Sequence, residues 1–587
     1  PPYSVGQKSA NDNAQNQKYP KLEARIAETY AAASKSTNKN SLYDSYIKAF
    51  RWAADRLDQD NGGIVAFVSN GAWLDGNATS GFRKCLVEEF SSIYVFNLRG
   101  NCRTSGELRR KEGGNVFGLG SRTPISITLL VKKPGNNMPA KIQYRDIGDY
   151  FNQTEKLQKV KELTSLLNPA MQLSSITPNE ENDWLNQRDG LFDTFIPIGD
   201  KDNKDGKTIF ASCYSCGVKT NRDSWVYNFS ESVLTRNISS MIDFYNGNVD
   251  ELIIAQKSKP ETTPDEIIKL DPTKISWTRG LRHDFERLKK HPYRSECLRI
   301  ATYRPFVKMH YYFDRNFNDM IYQIPRLFPT PQTKNLVICV SGVGVTKDFS
   351  VIITDMIPDL ELIGKSQCFP LYYYEEVQTD ELNLYDHAEG QYIKHDGISD
   401  FALNRARELN PKITREDVFY YVYGVLHNQT YRKRFSADLK KKLPHIPFPD
   451  EYKVFKAYCK AGRELASLHL NYETGPFCKT VIVSGCEHGK YRVQKMRFIS
   501  KDDKRTIIFN EFIRIENIPL VAYDYVINGK SAIEWVMERY SITTNSDSGI
   551  LNDPNQWSEN PRYIFDLLLR IIQMSIDTVQ IVTKLPR

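Results

Sequence analysis

Between residues 21 and 133 the sequence switches repeatedly between a helical and an extended hydrophobic pattern, and few folds accommodate that alternation. Residues 21–33 place Leu22, Ile26 and Tyr30 on one helical face. Asn40-Ser41 then caps a predicted helix, SLYDSYIKAFRWAADRL, whose Leu42, Tyr46, Ala49, Ala53 and Leu57 form a stripe. After Gly62-Gly63 the run IVAFVSN is apolar throughout and reads as a strand covered on both faces. A helix over 79–91, a strand IYVFNL at 93–98 and a strand PISITLLVKK at 124–133 repeat the scheme. Helices alternating with buried strands predict an α/β unit with a mostly parallel sheet and helices on both faces.

Pro134-Gly135-Asn136-Asn137 interrupts the pattern and sets the expected boundary of a first domain, 1–135. Residues 136–400 read as mixed α/β, with KTIFASCYSC as a strand and 335–355 as paired strands. Residues 401–475 read as helical, and 476–587 as a closing α+β part. With 587 residues, 40% of them hydrophobic, the chain has ample material for several cores. Lys and Arg total 79 against 71 Asp and Glu, a net charge of +8. This mild excess permits a polyanionic partner without requiring one. No apolar run approaches the ~20 residues of a membrane span, so no membrane partner is expected. Walker-type GxxxxGK[ST] and HExxH motifs are absent from the sequence, leaving ATP-driven or zinc-protease chemistry no seat. Ten cysteines lie mostly singly, which suits a reducing cytoplasm. Cys213-Tyr-Ser-Cys216 reads as thiols on a strand, and no metal site is expected.

The first three residues carry the most chemistry. Neither Pro1 nor Pro2 can donate a hydrogen bond, so a rigid Pro-Pro turn presents its carbonyl groups as acceptors. Tyr3 offers a flat face beside them. Together they suit a planar ring bearing an exocyclic amine, such as an adenine taken out of a duplex. The chain starts at this tripeptide without a methionine and is expected to be the C-terminal piece of a longer polypeptide.

PPY, followed by SLYDSYIKAFRWAADRL, GGIVAFVSNGAWL and GGNVFG, resembles the gamma-class N6-adenine DNA methyltransferases. With PPYSVGQ and the segments YRPFVKMHYYFD, QCFPLYYYE, YRKRFSADLKKKLPHIPFP and AYDYVINGKSAIEWVMERY, it resembles type ISP restriction–modification enzymes over nearly the whole chain. The resemblance implies a Rossmann-like methyltransferase half followed by a mixed α+β target-recognition region. It implies that Pro1, Pro2, Tyr3 and Phe117 form the catalytic base pocket, with Tyr3 and Phe117 sandwiching the target adenine. Leu42 and Tyr46 then face the methyl donor, S-adenosylmethionine. The glycine-rich loop and acidic residue that bind the donor in this family normally precede PPY and are not in this sequence, so the chain alone is expected not to methylate. The implied partners are double-stranded DNA and upstream nuclease and translocase domains of the same polypeptide.

The basic loop containing Arg99, Asn101, Arg103, Arg109, Arg110 and Lys111 suits phosphate contacts, with a solvated loop as the alternative, as a solvated helix face is for the second patch below. It lies within residues 1–135, which carry 19 Lys and Arg against 12 Asp and Glu. A second basic patch is Arg432, Lys433 and Arg434, followed by Lys440-Lys441-Lys442, and a third is Arg304 and Lys308. Two other functions compete with adenine methylation. One is a non-catalytic DNA-recognition module guiding an upstream ATP-driven translocase and nuclease. The other is an RNA or protein methyltransferase acting on an amide-like nitrogen, against which the long extension after residue 136 argues.

Overall fold

A computed structural model describes residues 18–586 apart from 37, 59, 105, 119, 120, 136, 137, 203, 204, 212, 378–391, 501 and 502. Pro1, Pro2 and Tyr3 lie outside the described residues. The chain divides into two compact units, one of residues 1–192 with 435–442, the other of residues 193–434 with 443–587.

In the first unit the helices α1 (Pro20–Ile26), α2 (Ser45–Ala54) and α3 (Ser80–Glu89) and the strands β1 (Gly63–Asn70), β2 (Ser92–Arg99) and β3 (Ile125–Lys132) fall where the periodicity predicts them. The second predicted helix is interrupted: Asn40–Tyr43 is a 3-10 turn, and Asp44 is extended (ψ 145°) before α2 begins. Leu42 and Tyr46 are therefore not successive turns of one helix. A short helix α4 (Gly106–Glu112) lies in the loop between β2 and β3. The sheet continues past Pro134-Gly135 with β4 (Lys141–Asp146) and, after α5 (Gln153–Leu163), β5 (Ser174–Ile176). Pro-Gly there is a turn within the unit, a role that local sequence cannot separate from a domain boundary.

The order is β1-β3-β2-β4-β5. β1 and β2 run the same way, joined by α3, but β3 inserts antiparallel between them, and β5 is antiparallel to β4. In this sheet, among the described residues, only β2 and β4 pair in parallel. The expectation of a mostly parallel sheet is thus corrected: helix–strand alternation fixes the direction of β1 and β2, not which later strand separates them. Helices do lie on both faces. Phe50, Trp73, Phe82 and Trp184 pack in a cluster with residues of α2 and α3 on one side, and Phe96, Leu98, Ile125 and Leu163 gather beside α5 on the other. β1 is not covered on both faces as expected, since Ile64 and Val68 are 63% and 40% exposed. It pairs only with β3 among the described residues, and an edge strand buries less than a central one.

In the second unit one buried cluster runs from Cys213 to Met574. One four-stranded sheet contains the hairpin Leu298–Arg304/Val307–Tyr312, flanked by Ile357–Pro358 and Tyr227–Asn228. Another contains Val337–Val340 and Val351–Thr354, paired antiparallel as predicted. Among its described residues the segment KTIFASCYSC yields an isolated bridge at Phe210 and the two-residue strand Ser215–Cys216. The helices Arg415–His427 and Tyr452–Leu470 pack together through two glycines. A Cβ on Gly462 would stand 1.9 Å from the Tyr420 carbonyl oxygen, and one on Gly424 would stand 2.4 Å from that of Tyr458. Gly462→Ala must push the helices apart, and such overpacking costs about 1–3 kcal/mol. Urea unfolding of the variant checks this by a lower midpoint at unchanged slope.

Candidate nucleic-acid interface

The loop from β2 to β3 is held at many of its described residues, while its aromatic ring stands clear. Arg99 (φ 54°) and Gly100 (φ 90°) turn the chain out of β2. The buried Asn115 side chain ties the loop's two ends, its Nδ2 donating to the Gly100 carbonyl at 3.1 Å and to that of Thr123 at 2.8 Å. Its Oδ1 accepts the Phe117 backbone N–H at 3.0 Å. From α5, Lys156 is fully buried, with Nζ donating to the carbonyls of Glu112 at 2.7 Å and Gly114 at 2.8 Å. Burial lowers this ammonium to about 8. Gln153 donates to the Val116 carbonyl at 3.0 Å, and Arg109 to that of Gly113 at 2.5 Å. Val116 packs against the cluster beneath α5. Gly113 and Gly114 lie so close to residues 151–153 that added Cβ atoms would meet backbone at 2.0 and 2.4 Å.

Phe117 stands out of this fixed loop with 49% of its surface exposed. An exposed ring on a preorganised loop can stack on a planar ligand without first ordering its support.

The basic residues of the loop separate into two groups. Arg99 bonds Asp146 at 2.7 Å and also Asp149; burial opposes its charge, but the two carboxylates prevail and raise its pKa. Arg109 is spent on the Gly113 carbonyl and the Cys102 thiol. Asn101 accepts the Arg103 backbone N–H at 3.0 Å through its side chain, so it shapes the turn. Arg103 and Arg110 are exposed and Lys111 is half-exposed; Arg110 pairs with Glu107 at 2.7 Å, and Lys111 lies 3.9 Å from Asp149. Such surface pairs are weak and exchange readily for phosphate.

Leu42 and Tyr46 belong to the core cluster of the first unit, 0% and 5% exposed. Buried in this way, Leu42 and Tyr46 offer a nucleoside or a methionine group almost no surface. Among the described residues no group of three or more His, Cys, Asp or Glu side chains could hold a metal ion.

The other basic patches also divide. Arg432 turns inward from the helix Gln429–Arg434, its Nε donating to the Leu426 carbonyl at 2.6 Å and its guanidinium lying 5.6 Å from the Phe349 ring. Burial lowers it to about 10, and the contacts it makes are with its own unit. Lys433 and Arg434 are exposed. Lys441 is buried, pairing with Asp75 at 3.0 Å and Asp183 at 3.2 Å. Lys308 pairs with Glu473 at 2.5 Å. Arg304 reaches Asp359 at 2.7 Å inside the second unit.

The model for the family described as the Type ISP C-terminal specificity domain matches residues 208–567. Across the whole chain, the fold is that of a nuclease-deletion mutant of the Type ISP restriction–modification enzyme LlaGI, solved in complex with a DNA substrate mimic, at 39% identity and a TM-score of 0.87. The chain belongs to the Type ISP restriction–modification family. A second Type ISP member, the ATP-dependent enzyme LlaBIII bound to DNA, matches at 38% identity and a TM-score of 0.87, and a DrdV–DNA complex at 32% and 0.82, again over 100% of this chain. This chain spans 52% of the LlaGI chain, 37% of the LlaBIII chain and 56% of the DrdV chain. Among curated proteins none matches. The Type ISP specificity match falls almost wholly in the second unit and leaves the Phe117 loop outside it. Among the described residues no helix is long and apolar enough to cross a membrane.

Two residues of the Phe117 loop's support carry no sequence signal. Lys156 sits in a charged stretch, EKLQKVKE, that reads as a solvated helix face. The Asn152–Glu155 capping box that starts α5 marks a helix terminus but not the loop it braces.

Proposed function

We propose that this chain is the target-recognition and base-holding part of a DNA restriction–modification enzyme of the cytoplasm. Residues 208–567 read a specific duplex sequence, and the first unit holds the target adenine for N6 methylation against Phe117. The observation that carries this reading is the half-exposed Phe117 ring on a loop braced by Asn115, Lys156 and Gln153. A base swung out of a duplex needs a ring to stack on, and no acid or base is needed where the nitrogen lone pair is localised by carbonyl acceptors. In this reading Tyr3 supplies the opposite face, and the Pro1-Pro2 turn supplies the acceptors. Duplex phosphates fall to Arg110 and Lys111 at the edge of the loop, and the exposed Lys433 adds a further cation.

The relatives LlaGI, LlaBIII and DrdV are seen with DNA, which supports duplex DNA as this chain's partner. The remaining length of those chains supports nuclease and translocase parts as further partners. S-adenosylmethionine is the donor proposed for the whole enzyme, held by residues outside those described, and Phe117's role concerns the base alone. One observation favours a second reading, a recognition module without methylation: the family match covers the specificity region and not the Phe117 loop.

The two readings part on one measurement. With 2-aminopurine at the target position, the full-length enzyme gives a bright flipped-base signal in the first reading. Phe117→Ala lowers retention of the flipped base by about 5- to 150-fold, the equivalent of ~1–3 kcal/mol of lost stacking. An unchanged signal with intact DNA binding rejects the base-holding role and leaves the recognition module.

A further inference from the structure

In the second unit a pocket of about 530 Å³ is bordered by Arg222, Ser224, Ser276, Trp277, Arg282 and Asn545. Arg222 lies deep in its wall, 3% exposed. Its Nη2 donates to the Thr278 hydroxyl at 2.9 Å, and its Nε and Nη1 have no hydrogen-bond acceptor among the described residues. No described carboxylate pairs with it: Asp223, next in the chain, is committed to Tyr303, Thr220 and Arg304, and Asp319 to Lys219 at 2.8 Å. Burial lowers the guanidinium to about 10, with Asp319 opposing that shift.

Thr278 is the N-cap of the helix Arg279–Glu286, so the Arg222 guanidinium stands against the positive end of a helix. A buried cation without a counter-charge is costly, and a helix N-terminus beside it adds to the cost. An oxyanion set beside the guanidinium relieves both features. Arg282, one turn into that helix, is exposed and makes no ion pair among the described residues. The Ser276 and Ser224 hydroxyls and the Asn545 amide complete a polar rim beside the Trp277 ring. Asp223 and Asp547 also border the pocket, which sets the anion on the side of Arg222 and Arg282.

We infer that this pocket binds a phosphoryl group, with Arg222 as its buried anchor and Arg282 as its outer clamp. Arginine suits this task because its planar fork matches two phosphate oxygens at once. The group can come from a DNA backbone phosphodiester or from free phosphate, which share this chemistry.

The test uses inorganic phosphate and the whole chain, with chloride at equal ionic strength as the control. Phosphate raises the thermal midpoint of the unsubstituted protein above that in chloride. Arg222→Met removes the rise, and in chloride it unfolds no earlier than the unsubstituted chain, because an unpaired buried charge is gone. Arg282→Gln, on the surface, shrinks the rise without touching the core. If saturating duplex DNA abolishes the phosphate effect, the occupant is a backbone phosphate; if the effect persists with duplex bound, it is free phosphate. A phosphate effect absent from the unsubstituted chain, or equal in all three proteins, overturns the inference. None of these readouts depends on Phe117, so failure of the base-holding role and failure of this pocket are separable.

Discussion

Arg304→Met destabilises the second unit by about 3–5 kcal/mol at pH 8, the usual cost of removing one partner from a buried ion pair. Arg304 Nη1 donates to Asp359 Oδ1 at 2.7 Å, and side-chain exposures are 11% and 5%. Asp359 also accepts from the Tyr227 hydroxyl at 3.2 Å and the Glu361 backbone N–H at 2.8 Å. Burial pushes this carboxyl up to about 7, and the Arg304 guanidinium pulls it the other way. Without the guanidinium the carboxyl takes up a proton more readily still. A folded-state pKa raised above the unfolded value of ~3.9 means stability that is present at low pH and lost as pH rises through the folded value. The penalty of Arg304→Met is therefore largest above pH 8 and shrinks below 7. Adding Asp359→Asn removes the stranded charge and recovers part of the loss, so the two substitutions are strongly non-additive. Urea melts of the four proteins at pH 8 and pH 6 measure it; additive losses independent of pH would mean that the pair is not coupled in this way.

The same arginine shows what a sequence can and cannot disclose. Spacing located β1, β2, β3 and α3 to within two residues, because hydrophobic period is a local property, but it read the stretch that forms α4 as loop. It could not show β3 entering between β1 and β2, since strand order depends on contacts far apart in sequence. The PPY and GGNVFG motifs led to Phe117, which the fold leaves half exposed. Arg432, Lys433 and Arg434 are successive helical residues about 100° apart and cannot share a face, so one of them had to turn inward. Leu42 and Tyr46 were joined by a helical spacing that the extended Asp44 breaks. Arg222 gave no signal at all: a single arginine in a polar turn acquires its meaning only from burial and from the helix end beside it.

Acid is expected to destabilise this protein between pH 6.5 and 5, above the usual carboxylate range, through two buried histidines. His427 and His469 lie with ring centroids 5.5 Å apart, and His469 stacks on Tyr525 at 5.0 Å. His469 shares hydrogen bonds with the Tyr423 hydroxyl at 2.6 Å and the Thr578 hydroxyl at 3.0 Å. His427 Nδ1 lies 2.8 Å from the Tyr423 carbonyl, so it carries a hydrogen, while Nε2 has no partner among the described residues. Burial lowers both, His469 to about 3, and the neighbouring Arg432 charge adds to the effect on each. The unfolded chain binds these protons near pH 6.5 and the folded one does not, so stability is fully present above 6.5 and falls as pH drops below it. Each histidine costs about 1.4 kcal/mol per pH unit in that window, or roughly 4 kcal/mol for the pair between pH 6.5 and 5. His291 and His310, lowered chiefly by burial, act in the same direction. Urea melts across this range should show the decline, and His469→Gln, which keeps a hydrogen-bonding side chain but cannot titrate, should flatten it by one proton's worth. A profile level from pH 7.5 to 5 would mean that the two rings accept protons in the folded state, and that Arg432 and the surrounding core do not hold them neutral.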